Sequence, residues 1–259
     1  MTEAEKYLFD VHGYLVIEGA LSPEEVAAAN RAIDHHADDI GIRPNDLANE
    51  STTLRGTTGR GDLGGMLTWE KPHCDVYRDM IVHPSFTPYL EELLGPGFRL
   101  EGLGIIAMDE GAEGFWFHEG AEPHDRSRGF LYRNGRMYCG MTNVAVQLTD
   151  VAPGDGGFAC LPGSHKANFP CPYEMSDARK NPMVVPVFAE PGDVLIFTEG
   201  MTHNAYPVTN DSLRRSVFFN YSPALDRDNL PGQRMSIYPD HVLERLSDQR
   251  DILTVAGYV

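Results

Sequence analysis

At Gly95-Pro96-Gly97 the chain changes character, and that change limits the folds open to it. Before it the signals are helical. In Leu21-Ser22-Pro23-Glu24-Glu25-Val26, serine can cap a helix, proline suits the first helical position, and Glu25 stands three residues after the cap. An alanine-rich continuation carries that helix to about Asp38. A second helical region covers roughly Tyr77 to Leu94, with Pro84 interrupting it and the Gly-Pro-Gly stop ending it. From Phe98 onward, short apolar runs separated by turns read as strands: Arg99–Met108, Gly114–His118, Met137–Thr149, Val184–Val187, Asp193–Phe197 and Arg215–Tyr221. Helices first and many short strands afterwards predict a mainly β fold, a double-stranded β-helix (a cupin-like jelly roll) with N-terminal helices packed on it.

The rest of the chain fits one domain over residues 1–259, since β-barrels with helical decoration reach that size as a unit, and no repeat or linker divides it. Phe9–Ile17 reads as a short strand entered through a turn at Gly13. Residues 39–68, rich in Gly, Thr, Asn and Asp, read as a long loop that folds over a site. Gly154, Gly156 and Gly157 lack the lysine of a phosphate-binding loop and read as a turn between strands. No apolar run reaches the roughly 18 to 20 residues that a membrane span needs. The start, Met1-Thr2-Glu3-Ala4-Glu5-Lys6, lacks the basic and apolar segments of a secretory signal, so a cytoplasmic protein is expected. Four scattered cysteines with no C-x-x-C pair are read as reduced thiols. A formal charge of −17 argues against nucleic-acid polymers or anionic membrane as partners, but not against a small anionic substrate held by a local basic cluster. No helix shows a sustained heptad pattern, so the sequence sets no oligomeric state.

Three positions carry the chemistry. Phe115-Trp116-Phe117-His118-Glu119-Gly120 ends a strand on a histidine; His203 follows a second strand, and Arg214 comes eleven positions later. Two neutral imidazoles at strand ends outline a non-haem iron(II) site. The planar guanidinium offers two parallel donors to a carboxylate, and Ser216 would share its strand face. Gly120 stands where a carboxylate ligand is expected. Glu119, Glu122 or Asp125 could replace that ligand if the following loop folds back. His73-Cys74-Asp75 matches His-x-Asp literally, but in a helix-loop context far upstream of His203. Histidines 124 and 165 are read as structural. Four arginines, Arg126, Arg128, Arg133 and Arg136, crowd eleven residues with no acid among them, and Arg126 and Arg128 are candidates for gripping an anionic substrate group. Trp116, Phe117, Tyr132 and Tyr138 read as core or pocket wall.

In Gly13-Tyr14-Leu15-Val16-Ile17 with Leu21–Val26, in Gly156–Lys166, and in Pro191-Gly192-Asp193-Val194-Leu195-Ile196-Phe197 before His203, the chain resembles the phytanoyl-CoA dioxygenase family of iron(II) and 2-oxoglutarate oxygenases. The resemblance implies iron(II), 2-oxoglutarate and O2 as cofactors, His118 and His203 as metal ligands, and Arg214 with Ser216 on the far carboxylate of 2-oxoglutarate. The departure at Gly120 is similar to the His-x-Gly form of 2-oxoglutarate-dependent halogenases, including a nucleotide halogenase, where chloride takes the vacated position. It implies halogenation of an aliphatic C–H bond in a small anionic metabolite, with a phosphorylated one such as a nucleotide as the favoured example. Two alternatives stay open: a hydroxylase with water or another carboxylate as third ligand, and a member that binds a metabolite without turnover.

Overall fold

The computed structural model describes residues 1–118, 129–178 and 180–223. Helix α1 (Glu3–His12) takes the place of the strand expected to begin at Phe9. A reciprocal capping box between Thr2 and Glu5 starts it, and Gly13 at φ 85° ends it in the left-handed conformation that only glycine adopts cheaply. The turn at Gly13 is therefore present, but it joins a helix to strand β1 (Tyr14–Ile17). Helix α2 (Pro23–His35) uses the expected Ser22–Glu25 capping box and stops three residues before Asp38. The second helical region is two helices, α3 (Asp75–Met80) and α4 (Thr87–Leu94), with Pro84 between them.

Twelve more strands follow: β2 (Gly41–Ile42), β3 (Gly61–Leu63), β4 (Arg99–Met108), β5 (Phe115–His118), β6 (Phe130–Arg133), β7 (Arg136–Cys139), β8 (Thr142–Gln147), β9 (Phe158–Cys160), β10 (Val185–Pro186), β11 (Val194–Thr198), β12 (His203–Ala205) and β13 (Arg214–Ser222). They form a seven-stranded sheet in the order β1-β11-β8-β13-β4-β3-β2, a four-stranded sheet β10-β9-β12-β5 and a β6-β7 hairpin. Every pairing between these strands is antiparallel.

Strand alternation assigns the two faces of the large sheet. Val144, Val146, Val194, Ile196, Val217 and Phe219 pack outward against helix residues such as Phe9, Ile33, Tyr77 and Leu90. Their neighbours in sequence, Ala145, Leu195 and Phe197, point the other way and meet Phe158 and Cys160 of the small sheet. Strands β8 and β11 are buried on both faces, and β11 accordingly reads as a nearly continuous apolar run, while β8 carries the polar Asn143 and Gln147 on its inner face. Two tyrosine hydroxyls satisfy themselves inside the helical layer, Tyr77 donating to the Ala29 carbonyl at 2.8 Å and Tyr221 to the Ile81 carbonyl at 2.7 Å. None of the four cysteines is in a disulfide, and no described helix is long and apolar enough to cross a membrane.

The 39–68 segment carries two short strands along the edge of the barrel and brings Arg60 to the cavity that His118 and His203 line. β2 and β3 extend the large sheet beyond β4. Between them, Glu113, 1% exposed, accepts from the backbone N–H groups of Leu47 (2.9 Å) and Ala48 (3.0 Å). The Trp116 N–H donates to the Leu47 carbonyl (3.0 Å) and the Gly114 N–H to the Leu54 carbonyl (2.8 Å). These bonds strap the segment along β5 and its approach. The approach is tight: a Cβ at Gly114 would strike the Ala205 carbonyl oxygen and come within 3.0 Å of the Pro207 nitrogen, both rigid backbone. Gly114→Ala is therefore expected to destabilise the fold by about 2 kcal/mol or more, read as a lower urea midpoint at unchanged m-value.

Candidate metal centre

His118 closes β5 and His203 opens β12, and the two are partners in register, with ring centroids 4.1 Å apart. Each imidazole is oriented by its own strand. His118 Nδ1 lies 3.1 Å from the Trp116 carbonyl and His203 Nδ1 2.6 Å from the Met201 carbonyl. A carbonyl can only accept, so both Nδ1 atoms carry the hydrogen, and Nε2 is left as the ring atom that can face a metal. Phe115, Phe158 and Phe197 pack against these rings at centroid distances of 4.5, 5.5 and 4.9 Å.

The third member is Glu199, one residue past the end of β11. Its ligand atom and those of His118 and His203 all lie within 4.8 Å of one another, the only such group of His, Cys, Asp and Glu among the described residues. The Glu199 backbone N–H donates to the Met141 carbonyl at 2.9 Å, and one carboxylate oxygen accepts from the Asn143 side-chain amide. Asn143 in turn accepts from the Asn220 amide. Two neutral imidazoles and one carboxylate are the donor set that suits iron(II) while leaving positions open. The residues present therefore fit the metal that the sequence implied, with a carboxylate that the sequence did not point to.

Arg214 lines the same cavity, of about 210 Å³, as His118, His203, Glu199, Asn143 and Asn220. It is 1% exposed and donates to the Ser216 hydroxyl (3.2 Å), the Gly156 carbonyl and the Met108 sulfur (3.4 Å). Ser216 passes its own hydrogen to Gln147 Oε1 at 2.6 Å. No carboxylate pairs with Arg214 among the described residues. Arg60, a second cation lining the cavity, is neutralised by Asp62 at 2.8 Å. Burial, helped by Arg60, pulls the Arg214 guanidinium down to about 10. A buried cation without a counter-ion is a standing cost that a bound carboxylate removes.

The other residues singled out in the sequence fall elsewhere. Gly120, Arg126 and Arg128, with Glu119, Glu122, His124 and Asp125, lie outside the described residues. His165 is structural: it sits at 3.1 Å from the Asp10 carbonyl with the Phe130 ring on edge, and burial pushes it down to about 4. His73 stacks on His35 at 4.1 Å, beside His36 and Trp69 at the end of α2. Tyr132 and Tyr138 are exposed on the β6-β7 hairpin with Arg133 and Arg136, so they wall no part of the metal cavity. Trp116 is likewise exposed, while Phe117 packs with Leu54 and Leu161. Glu199, Asn143, Asn220, Arg60 and Gln147 were missed. For Glu199 a signal existed: it shares the parity of Phe197, and so the inward face of β11, and stands four residues before His203.

Fold and site together define a class, the double-stranded β-helix enzymes that hold one metal between two histidines and a carboxylate. The model of the phytanoyl-CoA dioxygenase (PhyH) family matches residues 9–216, and the chain belongs to that family, as an oxidoreductase of the dioxygenase type. No curated protein matches it. Among solved structures it is similar to HygX from Streptomyces hygroscopicus with nickel, 2-oxoglutarate and hygromycin B bound, at 21% identity and TM-score 0.69 over 87% of this chain and 88% of that one. It is also similar to AviO1 from Streptomyces viridochromogenes Tue57 (19%, TM-score 0.60, 88% and 96% covered). A third is the non-heme alpha ketoglutarate dependent carbocyclase SnoK from nogalamycin biosynthesis (20%, TM-score 0.60, 86% and 85% covered). At these identities the likeness is one of fold.

Proposed function

We propose that the protein is an iron(II)- and 2-oxoglutarate-dependent oxygenase that hydroxylates a small molecule, with His118, Glu199 and His203 holding the metal. The observation that carries this reading is the Glu199 carboxylate within 4.8 Å of both imidazole ligand atoms. When bound, iron and 2-oxoglutarate activate dioxygen, one oxygen atom leaving in succinate and the other in the product. The chain's own part is placement. The Trp116 and Met201 carbonyls fix the histidine tautomers, Asn143 fixes the Glu199 rotamer, and the phenylalanines around the rings keep water away. Arg214, with Ser216 beside it, anchors the far carboxylate of 2-oxoglutarate at the closed end of the cavity. The HygX structure with nickel and 2-oxoglutarate supports both ligands for this fold.

A second reading is kept by Gly120. If the vacated His-x-Gly position accepts chloride, the same centre would halogenate, and Arg126 and Arg128 would hold an anionic substrate group. Titrating the anaerobic protein with iron(II), 2-oxoglutarate and then chloride or bromide separates the two. With Glu199 as ligand, the metal-to-ligand charge-transfer band is expected to appear and to stay unmoved by halide. A halide-dependent shift would instead place an anion on the metal and make the halogenase the working reading.

A further inference from the structure

The hydrogen bonds behind Glu199 run one way. A carboxylate only accepts, so Asn143 must turn its amide N–H toward Glu199, and its carbonyl oxygen then faces Asn220. Asn220 must answer with its own N–H. What remains at the end of the chain is Asn220 Oδ1, an acceptor that no donor reaches among the described residues. The direction follows from the charge of Glu199 and not from the assignment of either amide.

The surroundings of that acceptor are open. Arg214, Ser216, Phe218 and Asn220 share the inner face of β13; the first two are 1% and 0% exposed, and the last two are half-buried. The strand thus runs from a closed cationic end to an open end. Across from the open end, β4 sets Gly104 opposite Phe218 and Gly102 opposite Asn220. A Cβ at Gly102 would reach 2.8 Å from Asn220 Oδ1, whereas a Cβ at Gly104 would meet nothing within 4 Å. Both Phe218 and Asn220 line the metal cavity.

We propose that the substrate enters at this end, lies over Gly104 against the Phe218 ring, and donates a hydroxyl or amino hydrogen to Asn220 Oδ1. The inference rests on the metal reading above and adds a substrate class: a hydroxyl- or amine-bearing molecule, neutral or cationic where it meets the amide chain. A carboxylate or phosphate at that point would meet the Asn220 lone pairs with the Glu199 charge behind them.

The test uses Mn(II) as a paramagnetic stand-in for iron, with 2-oxoglutarate bound, and reads the relaxation of probe protons by the metal. The probes are glucosamine and cyclohexanecarboxylate, two six-membered rings, one bearing hydroxyl and amino donors and the other an anionic group and no donor. Glucosamine is expected to relax about tenfold more strongly, the worth of one hydrogen bond made and one repulsion avoided. Asn220→Leu and Gly104→Val should each bring glucosamine to background while the 2-oxoglutarate protons stay relaxed. Gly104→Val leaves the amide chain intact, so its effect cannot come from a displaced Glu199. Equal relaxation of the two probes, or no loss in either variant, would overturn the proposal. If 2-oxoglutarate itself is not relaxed in the unaltered protein, the metal reading fails and this one with it.

Discussion

Glu199→Ala is expected to weaken iron(II) binding by about 100-fold or more and to bring 2-oxoglutarate turnover below detection, because even partners behind a metal ligand are worth 10–100-fold in affinity and Glu199 is placed as a ligand itself. Two imidazoles remain, and two neutral donors neither fix a face of the metal nor offset its charge. Formate is expected to restore part of the affinity, since a small carboxylate fits the volume vacated by the side chain. Asn143→Ala should lie between, its loss confined to the order of 10–100-fold, because it frees the Glu199 rotamer without removing the ligand. Iron(II) titration followed by charge-transfer absorption measures all three. A Glu199→Ala protein that binds iron and consumes 2-oxoglutarate like the parent would sink the assignment and send the search for a third ligand to residues 119–128.

That Glu199 escaped the sequence, while His118, His203 and Arg214 did not, has a physical reason. The histidines and the arginine sit at or near strand ends whose apolar runs are visible, and their spacing is a chemical pattern. The proposed third ligand, Glu199, comes from the turn after β11, and the antiparallel register of Phe197 with Asn143 brings its side chain to that of Asn143. Pairing across 56 residues leaves no trace in local composition. The same limit explains the strands. β4 and β11 were legible because long apolar or alternating runs declare themselves, whereas β3, β9 and β12 have three residues each and exist through their partners' backbones. Helix α1 was misread from its end: Phe9-Asp10-Val11-His12 alternates apolar and polar residues ahead of the apolar Tyr14–Ile17, and the capping box at Thr2 and Glu5 that contradicts a strand lies upstream. The fold class survived these errors because it depends on the order of helices and strands, not on each boundary.

Arg214→Leu is expected to separate two effects that usually travel together: 2-oxoglutarate binding should fall by a factor of about 1,000, while the ligand-free protein should be no less stable than the parent. The first follows from losing a forked, fully desolvated carboxylate donor, a class of contact worth several kcal/mol when one partner is removed. The second follows from the cost of the cation itself. A guanidinium drawn from 12.5 down to about 10 carries a charging cost of about 3 kcal/mol in the folded state. The sign is that of a base whose folded value is depressed. The cost is fully present at neutral pH, shrinks only as pH rises past about 10, and so weighs on stability throughout the working range. Leucine removes it and leaves the Gly156 carbonyl and the Ser216 hydroxyl short of a donor, a loss of about 1–3 kcal/mol that roughly cancels the gain. Thermal melts in Mn(II), with and without 2-oxoglutarate, read both effects: the parent should melt higher with 2-oxoglutarate, and Arg214→Leu should melt at the parent's 2-oxoglutarate-free temperature in both conditions. Arg214→Lys keeps the charge but not the fork, and should recover only part of the ligand-induced rise. A leucine variant that loses several kcal/mol without ligand yet keeps the 2-oxoglutarate-dependent rise would make Arg214 a packing residue, and the buried cation would need another account.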